Sequence, residues 1–196
     1  MIKLVALAAA LVTFTIPAVS QASAPPGVYK VEPRHTRVLF AVSRFGLTTY
    51  RGQFIGASGS LVLSEPEVGA SRLEVSAPIS GLTTSSRHLD TLLEGPGWFD
   101  AARYPAMMFR STAVARTGAD TANVTGDLTL HGVTRSVTFK VKFDAGGFNL
   151  QNQTYAAGFE ARGRIRRSDF RIARFALLVG DNVDLIIDAA FERGHP

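Results

Sequence analysis

The chain has 196 residues, with 21 Lys and Arg against 16 Asp and Glu, a net charge of +5 and no cysteine. That length suits one domain with a core of its own. Lacking cysteine, the chain has no disulfide framework, thiol nucleophile or thiolate metal site, so its stability has to come from packing.

Residues 1–24 read as an export leader. Lys3 supplies the positive start, residues 4–16 are an apolar run, Pro17 breaks it, and Ala22-Ser23-Ala24 has the small-x-small pattern of a peptidase site. The run is short for a permanent bilayer anchor, and no cysteine follows it to take a lipid. The reading predicts cleavage near Ala24, a periplasmic or secreted location, and a mature domain over residues 25–196. Export also makes nucleic acid a poor candidate partner for a basic chain.

From Tyr29 onward the dominant period is two. Val38, Phe40 and Val42 alternate against Arg37, Leu39 and Ala41; Leu73, Val75, Ala77 and Ile79 alternate against Arg72, Glu74 and Ser76. Weaker strands fit residues 52–55, 58–63, 107–113 and 123–130. Val137, Phe139, Val141 and Phe143 oppose Ser136, Thr138, Lys140 and Lys142. Phe159, Ala161, Gly163 and Ile165 oppose four charged residues, and Val183, Leu185, Ile187, Ala189 and Phe191 close the series. Turn signals fall at residues 64–66, 117–120, 131–132 and 144–147. About eight or nine half-buried antiparallel strands with short connections follow, forming a sheet closed on itself or folded over. The fold class is therefore all-β, a single antiparallel barrel of about eight strands.

One segment breaks the period. Leu89, Leu92 and Leu93 stand at i, i+3 and i+4, with Ser85 or Ser86 as N-cap and Gly95-Pro96-Gly97 as terminator. This predicts a short amphipathic helix, followed by an aromatic loop at Trp98 and Phe99, lying across one barrel end. Tyr104 and Pro105 are expected to start the next strand. A second helical turn is expected within residues 168–178, or a strand over residues 175–179.

Chemistry-bearing patterns are scarce. The four histidines form no HxH or HExxH spacing, and there is no GxSxG elbow, Walker loop or dinucleotide glycine fingerprint. No catalytic residue, metal site or cofactor is assigned. His35 reads as a structural hydrogen-bonding residue, and His131 with Gly132 as a hairpin turn. The basic excess concentrates in residues 162–174, either a solvated face or a surface for phosphate or anionic headgroups. Apolar capacity is the positive signal: thirteen Phe, one Trp and three Met. An eight-stranded barrel is just wide enough to be filled by side chains or to hold one slender guest, and the pattern alone leaves both open.

The ordered motifs resemble the YceI-like family of periplasmic lipid- and polyisoprenoid-binding proteins. Tyr29-Lys30-Val31-Glu32-Pro33-Arg34-His35-Thr36-Arg37-Val38-Leu39-Phe40 is similar to that family's opening Y-x-(hydrophobic)-D-P-x-H-S-x-(hydrophobic)-x-F. Gly46 and Arg51-Gly52-Gln53-Phe54 look like its glycine and G-x-F element, and Trp98-Phe99-Asp100 with Tyr104-Pro105 and Phe109 resembles F-F-D…Y-P…F. Gly126-Asp127-Leu128-Thr129-Leu130-His131-Gly132-Val133-Thr134 resembles G-x-L-T-(hydrophobic)-x-G-V-T, and Arg167-Ser168-Asp169-Phe170 resembles R-x-D-F. The resemblance runs over residues 28–192. It implies a lipocalin-like barrel with a long internal pocket for a polyisoprenoid tail and a helix beside the opening. Departures fall at Arg44, Leu92, Glu94, Gly97 and Arg171, where the family pattern has His, His, Arg, Asp and Gly. They cluster around loops and the helix and put the headgroup preference in doubt.

Candidate tail contacts are Phe40, Val42 and Phe54 on early strands, Leu89, Leu92 and Leu93 on the helix, Trp98 and Phe99 after it, and Met107, Phe109, Phe139 and Phe159 on later strands. Arg44, Asp90 and Arg167 are candidates for a polar opening, and Asp169 for holding a turn or pairing with Arg167. Three functions remain: non-enzymatic binding, sequestration or transport of a polyisoprenoid or fatty-acyl lipid; a small hydrolase or isomerase with a buried acid–base pair beside the cavity; and a ligand-free stress-related interaction module with a filled interior and an exposed apolar patch. The partners expected are a hydrophobic small molecule and a transient membrane surface. An exposed edge or apolar loop also allows a homodimer without selecting it.

Overall fold

A computed structural model describes residues 24–193. Apart from Ala24, which is buried, the expected leader lies outside the described residues.

Eleven strands form among the described residues: β1 (Gly27–Val31), β2 (Arg37–Arg44), β3 (Thr48–Phe54), β4 (Ser58–Leu63), β5 (Arg72–Pro78), β6 (Leu82–Thr84), β7 (Ala106–Arg116), β8 (Thr121–Leu130), β9 (Val133–Asn149), β10 (Thr154–Arg166) and β11 (Val179–Arg193). They make a closed antiparallel barrel of eight staves. The excess over eight arises because three staves are bent. β1 and β2 follow one another along the same edge of β11, with Tyr29 opposite Arg193 and Phe40 opposite Leu185. At the bend between them, Thr36 Oγ1 accepts from Ala190 N at 3.0 Å and donates to Ala190 O at 3.2 Å. β4 and β3 pair with β1 and β2 in turn, and β5 and β6 pair with β4 and β3. Each stave is therefore antiparallel to its sequence neighbour, and β11 closes the ring.

The connections alternate between two ends. Residues 45–47, 85–105, 131–132 and 167–178 gather at one end, the helix end. Residues 64–71, 117–120 and 150–153 gather at the other. At His131 and Gly132 both φ angles are positive, 50° and 72°, the backbone of a two-residue turn that matches strand twist.

The wall is incomplete at one place. β7 begins opposite Pro78, so β6 has a strand partner only on its β3 side. The gap is filled by α1 (Arg87–Glu94) and residues 95–104. Ser86 caps α1, its side chain accepting from Leu89 N at 3.4 Å, and Gly95 ends it. Asp90 fastens the helix to β6, accepting from Thr84 N at 2.7 Å and Thr84 Oγ1 at 2.6 Å.

Three local expectations are corrected. Residues 144–147 are not a turn: β9 runs through them to Asn149 and pairs with β10. Gly146 serves close approach instead, since a Cβ there would lie 2.9 Å from a Phe143 ring carbon. The second helical turn is a short 3-10 segment, Arg167–Phe170, followed by a loop, and β11 begins only at Val179. β7 starts at Ala106, after Tyr104 and Pro105: Pro105 has no N–H to give to a ladder, although its carbonyl accepts from Ile79 N at 2.8 Å.

Candidate functional site

The inward faces bring many aromatic rings together, yet they do not meet in the middle. Three glycines explain why. A Cβ on Gly52 would stand 2.5 Å from a Phe40 ring carbon, one on Gly126 2.5 Å from Phe109, and one on Gly163 2.6 Å from Phe139. In each case a phenylalanine lies flat over an inward glycine of the adjacent strand, occupying the space a side chain would take. The rings panel the wall instead of plugging the bore. Edge-on contacts between Phe109 and Phe139 (5.4 Å), Phe54 and Phe99 (5.5 Å), and Phe143 and Phe159 (5.4 Å) fix them there.

What remains is a cavity of about 650 Å³ running the length of the barrel, within the range of small-molecule sites. Val31, Leu61 and Phe191 line one end of it, and Phe45, Phe175 and Leu178 the other, at the helix end. All twelve apolar candidates line it: Phe40, Val42 and Phe54 from β2 and β3, Leu89, Leu92 and Leu93 from α1, Trp98 and Phe99 from the loop, Met107 and Phe109 from β7, Phe139 from β9 and Phe159 from β10. Leu92, which takes a histidine position of the family pattern, is half-exposed at the rim. Trp98 is buried, and its indole N–H has no hydrogen-bond partner.

The polar candidates divide. Arg44 lines the cavity at the helix end, its guanidinium 4.5 Å from the Phe45 ring centroid. Asp90 does not belong to the opening; its carboxylate is committed to Thr84. Arg167 touches the cavity but is buried, and it acts as a clamp rather than an open polar mouth. Its guanidinium donates to the carbonyls of Ile172 (2.7 Å), Arg174 (2.8 Å), Val179 (2.7 Å) and Gly180 (2.9 Å), gathering residues 171–180 around itself. Burial lowers its pKa, and Asp181 opposes that shift. Asp169 pairs with Arg166 at 3.3 Å and not with Arg167.

The basic stretch is mostly a paired outer face: Arg162 meets Glu160, Arg164 meets Asp184, and Arg166 meets Asp169 and Asp181. The sequence reading missed Tyr50 on β3 and the loop residues Phe45, Ile172, Phe175 and Leu178. Tyr50 stands in step with the inward Phe54, so alternation held its signal; the loop residues have no periodicity to betray them.

Outside the cavity, Glu32 organises the bend between β1 and β2. Burial alone would raise its pKa, but Arg34 Nε and the Arg34 and His35 backbone amides all donate to it, with the His35 ring at 2.6 Å, and together they hold it at about 2. Among the described residues no group of three or more His, Cys, Asp or Glu comes together as a metal site. The cavity lining likewise includes no carboxylate or imidazole.

Comparison with known proteins agrees with this geometry. A UPF0312 protein of Pseudomonas savastanoi pv. phaseolicola is 35% identical over 152 residues, 78% of this chain and 79% of the relative. Protein YceI of Escherichia coli O157:H7 is 33% identical over 177 residues, 89% and 92% of the two chains. Among solved structures, Burkholderia cenocepacia BcnA superposes with a TM-score of 0.73 at 22% identity, covering 82% of this chain and 98% of that one. A polyisoprenoid binding domain from Saccharophagus degradans, implicated in plant cell wall breakdown, superposes with a TM-score of 0.65 at 14% identity over 85% of this chain and 98% of that one. The model of the YceI-like domain matches residues 29–191, and the chain belongs to that family.

Proposed function

We propose that this protein binds one long apolar chain, a polyisoprenoid or a fatty-acyl lipid, inside the barrel, and sequesters or carries it without chemical change after export. The observation that carries this reading is the open, apolar cavity of about 650 Å³ between paneled walls. A packed interaction module would have a filled interior, and an acid–base enzyme of the usual kind would set a carboxylate or imidazole beside the guest, whereas the ionisable groups of this lining are Tyr50 and arginines. Likeness to a polyisoprenoid binding domain supports the same class of guest. Transfer of about fifteen carbons from water is worth about 12 kcal/mol at ~0.8 kcal/mol per methylene, set against an association cost of about 4–15 kcal/mol. A tail alone can therefore supply affinity with few polar contacts. A periplasmic or secreted location, with cleavage near Ala24, belongs to the proposal and rests on residues 1–24 of the sequence.

Native mass spectrometry followed by organic extraction tests the reading, together with titration of a prenyl alcohol monitored by Trp98, the sole tryptophan and a cavity-lining residue. Copurified lipid, or saturable change in the indole emission, is expected. Protein of apo mass that takes up no prenyl or acyl lipid refutes it.

A further inference from the structure

At the helix end, two turns meet to form a rim. Phe45 N donates to Leu178 O at 2.7 Å, joining the β2–β3 turn to the loop of residues 171–178. Leu177 is 98% exposed and Leu47 85%, and Phe45, Phe175, Leu178 and Leu92 are each 41–50% exposed around them. Phe45 and Phe175 both adopt left-handed backbone, φ 55° and 54°, a conformation costly for a bulky side chain. Half-exposed phenylalanines thus stand where glycine would turn the chain more easily, Phe175 with its ring 6.2 Å from that of Trp98. Each ring carries a neighbouring guanidinium: Arg44 at 4.5 Å from Phe45 and Arg174 at 5.2 Å from Phe175.

The exposed rim charges without an ion-pair partner are arginines. Arg44, Arg171 and Arg174 are exposed and have no ion-pair partner among the described residues, unlike Arg162, Arg164 and Arg166 on the outer wall. Three acids of this end are already engaged, Asp90 by Thr84, Asp169 by Arg166 and Asp181 by Ser168, while Glu94 and Asp100 are half-buried.

We propose that this rim docks on an anionic lipid bilayer, with Leu47, Leu177 and the two phenylalanines entering the acyl boundary and Arg44, Arg171 and Arg174 meeting the phosphates. An apolar tip ringed by unpaired cations is the composition that such a surface attracts. A second copy of the chain fits poorly, because a two-fold pairing of this patch sets each arginine cluster against its own kind. The proposal deepens the lipid reading and rests on it for its purpose. Arg44, Phe45, Phe175 and Leu178 line the cavity as well as the rim, so docking brings the mouth to the membrane and a tail passes between them without crossing water.

The test is cosedimentation of the purified protein with phosphatidylcholine vesicles, with and without phosphatidylglycerol. Binding is expected only with phosphatidylglycerol, weakening as salt rises. L47D/L177D should lower it at least tenfold. R171G should lower it about fivefold, the worth of one interfacial arginine, in a variant whose glycine suits the left-handed φ of 61° at that position. Uptake of a fluorescent farnesyl probe from solution is measured in parallel, since Leu47, Leu177 and Arg171 do not line the cavity. Probe uptake unchanged by L47D/L177D, with vesicle binding lost, supports the proposal. Absence of binding to phosphatidylglycerol, or binding indifferent to L47D/L177D, overturns it. So does a dimer in analytical ultracentrifugation that L47D/L177D dissociates while vesicles are ignored. Failed probe uptake with intact vesicle binding instead refutes the cavity reading and leaves the docking standing.

Discussion

Gly163→Ala probes the paneled wall most directly. Gly163 lies on β10 just beyond the Arg162–Lys140 pair, and the three nearest atoms a Cβ there would meet all belong to Phe139: Cδ1 at 2.6 Å, Cε1 at 2.8 Å and Cγ at 3.5 Å. The nearest contacts are ring atoms, so the ring has to leave the wall by about 1 Å to regain a contact of ~3.5–4.0 Å. Inward is the open direction, and the T-shaped contact with Phe109 is disturbed on the way. The strain is expected to cost about 1–3 kcal/mol of stability, read from the urea midpoint. If the displaced ring denies the guest about two methylenes, binding weakens by ~1.6 kcal/mol, roughly 15-fold in Kd, read by Trp98 emission with a prenyl alcohol. Phe139→Val in the same chain removes Cδ1 and Cε1, the two most crowded atoms, so Gly163→Ala should cost far less in that background than in the native chain, a coupling of about 1–2 kcal/mol. Native-like binding and stability in Gly163→Ala, or a cost of Gly163→Ala that is just as large beside Phe139→Val, would refute the claim that glycine keeps the bore open.

Other outcomes follow from the clamp, the bend and the loop. Arg167→Ala leaves four carbonyls, one buried and three partly buried, without their donor and is expected to cost about 3 kcal/mol, with faster amide exchange over residues 171–180; exchange unchanged there would contradict the clamp. Glu32 has a folded pKa of about 2 against 4.5. Its stabilisation is therefore present above pH ~4.5 and fades as pH falls toward ~2. Although Glu32 itself is covered, its partners Arg34 and His35 are 82% and 76% exposed, so solvent screening reduces the effect to about 1–2 kcal/mol. The gap in urea midpoint between the native chain and Glu32→Gln should narrow between pH 7 and pH 3, and a constant gap would speak against it. Arg171→Gly relieves a left-handed non-glycine residue and should stabilise by about 0.5 kcal/mol after the added backbone entropy of glycine; a fall in the thermal midpoint would count against that account.

Much of the barrel was legible because alternation is a direct print of a sheet with one wet and one dry face. Val38, Phe40 and Val42, or Leu185 and Ile187, could hardly have been placed otherwise, and the i, i+3, i+4 leucines marked the helix equally well. What failed was the meaning of single residues. Gly146 and Gly147 looked like a turn because glycine relaxes the backbone, but Gly146 is needed for closeness to Phe143. Arg167 was assigned to a polar opening, although it continues the inward series Phe159, Ala161, Gly163, Ile165 by two; that count carried the signal of burial. Asp90 was placed at the opening because its partner Thr84 sits on another element, which spacing cannot reveal. Phe45 and Phe175 escaped because turns have no period.

The seam between β6 and β7 bears on how the container yields. Elsewhere its circumference is stitched by ladder hydrogen bonds, and widening it means breaking a row of them together. Here α1 and the Trp98–Phe99 segment complete the circle by side-chain packing, with the Thr84–Asp90 fastening as a local tether. Parting packed side chains by a fraction of an ångström costs far less than unzipping a ladder. Depth, ruled by stave length, is accordingly the rigid dimension of this vessel, and girth at the seam is the compliant one: slender and thicker tails meet the same depth but an adjustable waist.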